Sequence, residues 1–162
     1  MNLEKYLKNN TMKDVKQERI HSSFIETICN NLNEIGIGSP YKIFKEVRLS
    51  DLNKKDKEEK GKKYTQKNRF NRQSDLVIFN SDLYIIEAKV IRTNNPERKE
   101  RNKIRELRRQ LSEGFSFFKK NFKTYPILIG AYKRLNSNHF YFYYQNSDGR
   151  GPLDSEISKI SC

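Results

Sequence analysis

Three charged residues stand where a buried hairpin would normally carry none. Asp75 opens the run Asp75-Leu76-Val77-Ile78-Phe79, and Glu87 and Lys89 close the run Leu83-Tyr84-Ile85-Ile86-Glu87-Ala88-Lys89. Two carboxylates and an ammonium gathered between apolar strands suit a hard divalent cation. Mg²⁺ takes oxygen ligands at about 2.0–2.1 Å and is commonly held by one or two carboxylates plus water and phosphate. Asp75 and Glu87 would supply the carboxylates, and Ala88 a backbone carbonyl between Glu87 and Lys89. Lys89 would then position the attacking water or neutralise charge developing on a phosphate. The competing reading is a salt bridge on a solvated sheet face, as most carboxylate–lysine pairs are. The apolar setting favours the metal.

The elements that must position these residues follow from the pattern. Both runs are rich in Val, Ile, Phe and Tyr and flank the turn formers Asn80-Ser81-Asp82, which predicts a hairpin. With that loop, Phe79 faces Leu83, Val77 faces Ile85 and Asp75 faces Glu87. Opposed like charges in an antiparallel pair are unfavourable without a counterion. Lys89, two residues beyond Glu87, shares its face of the sheet.

Asp75, with Glu87-Ala88-Lys89 a dozen residues further on at the end of a second strand, resembles the PD-(D/E)XK nuclease superfamily. Ser74 stands where that motif's Pro would be. The resemblance runs from about residue 13 to about residue 144. It implies an α/β restriction-endonuclease-like fold, with a mixed central β-sheet flanked by helices in αβββαβ order plus an extra C-terminal strand. It also implies Mg²⁺-dependent hydrolysis of phosphodiester bonds, with Mn²⁺ able to substitute. Its size and basicity resemble Holliday-junction resolvases and mobile-element nucleases, so a DNA endonuclease is expected. Two centres are needed to cut both strands, which points to a homodimer. An RNA endonuclease on the same fold and a non-catalytic nucleic-acid-binding module are the alternatives.

Further site residues lie on neighbouring elements. Residues 13–34 read as a helix, with Phe24, Ile25, Ile28, Leu32 and Ile35 as its apolar stripe and Gly36 and Gly38 ending it. Glu18 and His21 lie on or beside the stripe, whereas Glu26 points away. Related nucleases carry an acidic residue on their first helix, and the resemblance assigns that place to Glu18, completing the metal shell. His21 is a further candidate for the metal or the phosphate, against a structural role as a hydrogen-bonded core histidine. Residues 41–49 alternate as a strand, and Glu46 on it is either an alternative ligand or a cross-strand charge partner at the sheet surface. Ile104, Leu107, Leu111, Phe115, Phe118 and Phe122 mark a long helix from about residue 97 to 122. Gln110 at the edge of its stripe matches a glutamine that supports the lysine or substrate in several relatives.

Net charge is +13, with 33 basic and 20 acidic side chains among 162 residues. That balance favours a polyanionic partner, nucleic acid before an anionic membrane. Residues 51–72 form a lysine-rich stretch just before Asp75, read either as a phosphate-contacting loop with Lys62, Lys63, Lys67, Arg69 and Arg72 or as a plain solvated surface excursion. Arg98, Arg101 and Arg105 add a basic first half to the long helix. Such contacts give affinity that falls with salt. The length suits a single domain, with a core at about 13–145 and a tail at 147–162. No apolar run approaches a membrane span, and the N-terminus lacks the apolar core of a signal peptide, so an intracellular, non-membrane protein is expected. Cys29 and Cys162 have no metal-ligand spacing, and nothing points to a small-molecule cofactor.

Overall fold

The computed structural model describes residues 2–11, 19–50, 71–92, 96–147 and 156–162. Helices Leu3–Asn9 (α1), Arg19–Cys29 (α2) and Leu32–Ile35 (α3) precede strands Lys42–Ser50 (β1), Asn71–Phe79 (β2) and Leu83–Ile91 (β3). The long helix Pro96–Phe122 (α4) leads to Ile127–Arg134 (β4), His139–Gln145 (β5) and Ser158–Ser161 (β6). The six strands form one mixed sheet in sequence order. β3 and β4 run parallel, and the other neighbours are antiparallel. A parallel pair needs a crossover, and α4 provides it. The expected α/β class with a mixed central sheet is the class observed.

Each face of the sheet carries its own core. On one face α1 and α4 pack Tyr6, Leu7, Leu107, Leu111 and Phe118 against Val77, Ile85 and Leu128. On the other, α2 and α3 pack Phe24, Ile25, Ile28, Leu32 and Ile35 against Leu76, Ile78, Ile86, Ala88 and Phe140. β3 is therefore buried continuously from Leu83 to Ala88, as a strand covered on both faces must be. Gly114 lets α4 lie close on that strand, because a Cβ there would stand 3.1 Å from Ile85 Cδ1. Among the described residues no helix is long and apolar enough to cross a membrane.

Three elements differ from the sequence reading. The described part of the helix expected over 13–34, from Arg19 on, is two helices, interrupted at Asn30-Asn31. The Asn31 side chain donates to the Thr27 carbonyl at 2.7 Å and satisfies one of the end groups of α2. The apolar spacing continues across this break because α2 and α3 bury the same sheet face. The tail expected at 147–162 contains a strand of the sheet, since β6 pairs with β5 and buries Ile160. Finally, β1 does not alternate throughout. Phe44, Val47 and Leu49 all enter the α4-side core, so the strand changes phase between Phe44 and Val47. Glu46 makes that change by adopting φ +52°, the left-handed region.

Candidate metal centre

The site is built around a single peptide group. The hairpin turn closes through Asn80 N–H to the Asp82 carbonyl at 3.0 Å and Asp82 N–H to Asn80 Oδ1 at 2.7 Å. It sets the pairs Phe79–Leu83 and Val77–Ile85. The ladder between β2 and β3 ends at Leu76–Ile86, one step short of Asp75 and Glu87. Freed from the ladder, Asp75 Oδ2 accepts the Ala88 N–H at 2.8 Å. The same oxygen lies 3.6 Å from His21 Nε2, which is 3.3 Å from the Ala88 carbonyl oxygen. Ala88 thus holds Asp75 with its amide and His21 with its carbonyl.

Glu46 arrives from β1. Lys45 pairs with Leu76 and Val47 with Ser74, which leaves Glu46 and Asp75 opposite each other where the pairing is interrupted. A non-glycine residue in the left-handed region costs on the order of 1–3 kcal/mol, and such strain concentrates at functional sites. Here it turns a carboxylate inward, and Glu46 is buried rather than at the sheet surface. The ligand atoms of His21, Glu46 and Asp75 all lie within 4.8 Å of one another, so this group can hold a metal ion. One imidazole nitrogen with carboxylate oxygens is a donor set that first-row divalent ions accept, Mn²⁺ more readily than Mg²⁺.

Electrostatics agree with that capacity. The Asp75 carboxylate, 3.6 Å away, raises the His21 pKa above its ordinary value, burial opposes this, and the Ala88 carbonyl and the charge of Glu46 add to the rise. The two carboxylates therefore favour the protonated imidazole, and a proton there would compete with a metal for the same nitrogen.

Glu87 stands beside this group but has a different partner. It is 2% exposed, and its Oε1 accepts from Arg72 Nη2 at 2.7 Å. Arg72 Nη1 donates to Glu113 Oε2 at 2.9 Å and to the Gln110 carbonyl. Burial and the neighbouring Asp75 charge raise the Glu87 pKa well above that of an ordinary carboxyl, and Arg72 opposes them. Arg72, expected in the basic loop, is in β2, with its guanidinium turned under α4.

The remaining expected residues are placed as follows. Lys89 is half-buried at the end of β3, with Nζ 3.7 Å from Glu106 of α4. Gln110 offers its backbone carbonyl to Arg72, while its buried side-chain oxygen has no hydrogen-bond partner among the described residues. Arg98, Arg101 and Arg105 lie on the exposed side of α4. Glu18, Lys62, Lys63, Lys67 and Arg69 lie outside the described residues.

Sequence reasoning missed the Arg72–Glu87–Glu113 network and the inward turn of Glu46. No local signal marks either, because one depends on long-range packing and the other on a backbone torsion. In comparisons with known proteins, the chain matches no family model, no curated protein and no solved structure.

Proposed function

We propose that this protein is a metal-dependent nuclease that hydrolyses phosphodiester bonds, acting as a DNA endonuclease of the PD-(D/E)XK kind. The observation that carries the reading is the convergence of His21, Glu46 and Asp75, the first and last of them held by the Ala88 peptide, one residue from Lys89. The helix–three-strand–helix–strand order of the sheet supports it as well. His21, Glu46 and Asp75 would hold Mg²⁺ or Mn²⁺, which would lower the pKa of a bound water and polarise the phosphate. Glu87, fixed by Arg72, closes the site on the α4 side of the ligands. Lys89 orients the water or neutralises charge on the phosphate, and its position at the end of β3 suits either task.

The test is cleavage of a panel of linear duplex, single strand, flap, four-way junction and RNA, with Mg²⁺ and Mn²⁺ titrated separately. Metal-dependent cutting of DNA that disappears in Asp75→Asn, while binding persists, supports the proposal. Cutting that survives Asp75→Asn, or no cutting of any substrate, contradicts it. Cutting of RNA alone would move the assignment to the RNA endonuclease reading.

A further inference from the structure

Next to the metal group, at the carboxyl end of β3, is a cavity of about 470 Å³. His21 forms part of its wall, so it borders the metal group directly. Lys89 and Arg92 from β3 and its exit, and Lys99 and Lys103 from α4, provide the other polar lining, and among the described residues no carboxylate lines it. Lys99 and Lys103 are one turn apart on the same helix face, where like charges repel. Glu106 relieves part of this repulsion: its Oε2 lies 3.4 Å from Lys103 Nζ and 3.7 Å from Lys89 Nζ. A single carboxylate therefore bridges a cation of the proposed reaction centre and a cation of the helix.

We propose that this cavity is a phosphate subsite that grips the substrate strand beside the scissile bond, with Lys99, Lys103 and Arg92 as its cations and Glu106 as the anion a backbone phosphate displaces. The inference rests on the nuclease reading for the identity of the strand and sharpens it in one respect. The basic half of α4 divides into two faces. Arg98, Arg101 and Arg105 lie on the exposed side and do not line the cavity, whereas Lys99 and Lys103 point into it. Contacts to phosphate position a strand without reading its sequence, so the subsite sets register rather than base preference. A phosphate held there would bring a neighbouring phosphate of the same strand toward the metal group, because His21 belongs to both.

The experiment measures binding of the full-length chain to a fluorescein-labelled single-stranded DNA oligonucleotide in EDTA, where no cleavage occurs, across a salt series. Lys99→Ala/Lys103→Ala is compared with the charge-matched Arg101→Ala/Arg105→Ala. The cavity pair is expected to raise Kd on the order of tenfold and to flatten the slope of log K against log salt by about 0.7 for each phosphate no longer neutralised. The outer pair is expected to change both less. Glu106→Gln is expected to tighten binding severalfold, because the displaced anion is gone. A cavity pair no weaker in binding than the outer pair, or weaker binding in Glu106→Gln, overturns the subsite. If the chain cuts DNA with a KM unmoved by the cavity pair, the subsite fails and the nuclease reading stands. If the cavity pair and Glu106→Gln behave as expected but no metal supports cutting, the subsite stands and the nuclease reading fails.

Discussion

Two carboxylate-centred assemblies lie side by side at the end of the hairpin, and they differ in the cation that balances them. In the first, Asp75 and Glu46 share His21, an imidazole whose Nε2 lies 3.6 Å from Asp75 Oδ2 and whose protonated form the two carboxylates favour. In the second, Glu87 and Glu113 share Arg72, a guanidinium that stays charged at any ordinary pH. The imidazolium can lose its proton and become a ligand, whereas the guanidinium cannot leave its place without stranding a buried carboxylate. Nearly the same acidic chemistry thus yields one centre that can take up a metal and one that is already filled. The second keeps Glu87 fixed beside the first.

Substitutions at the two assemblies should separate accordingly. The largest effect is expected from Asp75→Asn. It should lower metal affinity, measured by calorimetry with Mn²⁺, by more than the roughly 10–100-fold that loss of a supporting residue costs. Its effect on folding should be small by comparison. Arg72→Ala should do the reverse. Leaving Glu87 buried without its partner is expected to cost about 3–5 kcal/mol in chemical denaturation. Arg72→Met combined with Glu87→Leu should recover most of that loss, since apolar replacement of a whole buried pair is often neutral. A double variant as unstable as the single would break the comparison.

A smaller effect should appear in the pH dependence. The folded-state pKa of His21 lies above its unfolded value, so its contribution to metal-free stability is complete below about pH 6.5. That contribution is lost as pH rises through the raised folded value. Metal affinity should move the opposite way over the same interval, rising as the competing proton leaves. Unfolding curves and Mn²⁺ titrations at several pH values would check both signs, and His21→Ala should flatten both. The smallest effect is expected from Arg101→Ala, on the exposed face of α4, where stability should stay within about 0.5 kcal/mol of the parent.

The hairpin was legible because a three-residue loop and two apolar runs leave little freedom of register. Val77 faces Ile85 and Phe79 faces Leu83 as the spacing predicts. Asp75 and Glu87 were legible as neighbours, but the end of the ladder at Leu76–Ile86 was not. That ending lets Asp75 turn to the Ala88 amide instead of facing Glu87 squarely. His21 stood out because it shares the stripe of Phe24, Ile25 and Ile28, all packed over β3. Glu46 was hidden for a specific reason. Strict alternation along β1 puts it with Phe44 and Arg48, and only its positive φ changes the phase of the strand. Arg72 was obscured by the lysines before it, which look like one continuous solvated loop. Its pairing with Glu87 and Glu113 depends on where α4 settles, a contact between residues far apart in sequence. β6 was hidden because Ile160 is the only buried hydrophobic residue in Ser158–Ser161.

His21, Glu46 and Asp75 are the group able to hold a metal ion, with Arg72 already filling the place beside Glu87. The most direct measurement is anomalous scattering from crystals of the protein soaked in Mn²⁺. The predicted result is one strong peak bonded to His21 Nε2 and to carboxylate oxygens of Glu46 and Asp75, with the Arg72–Glu87 pair intact. A peak ligated by Glu87 with Arg72 displaced, or no peak at saturating Mn²⁺, would contradict it.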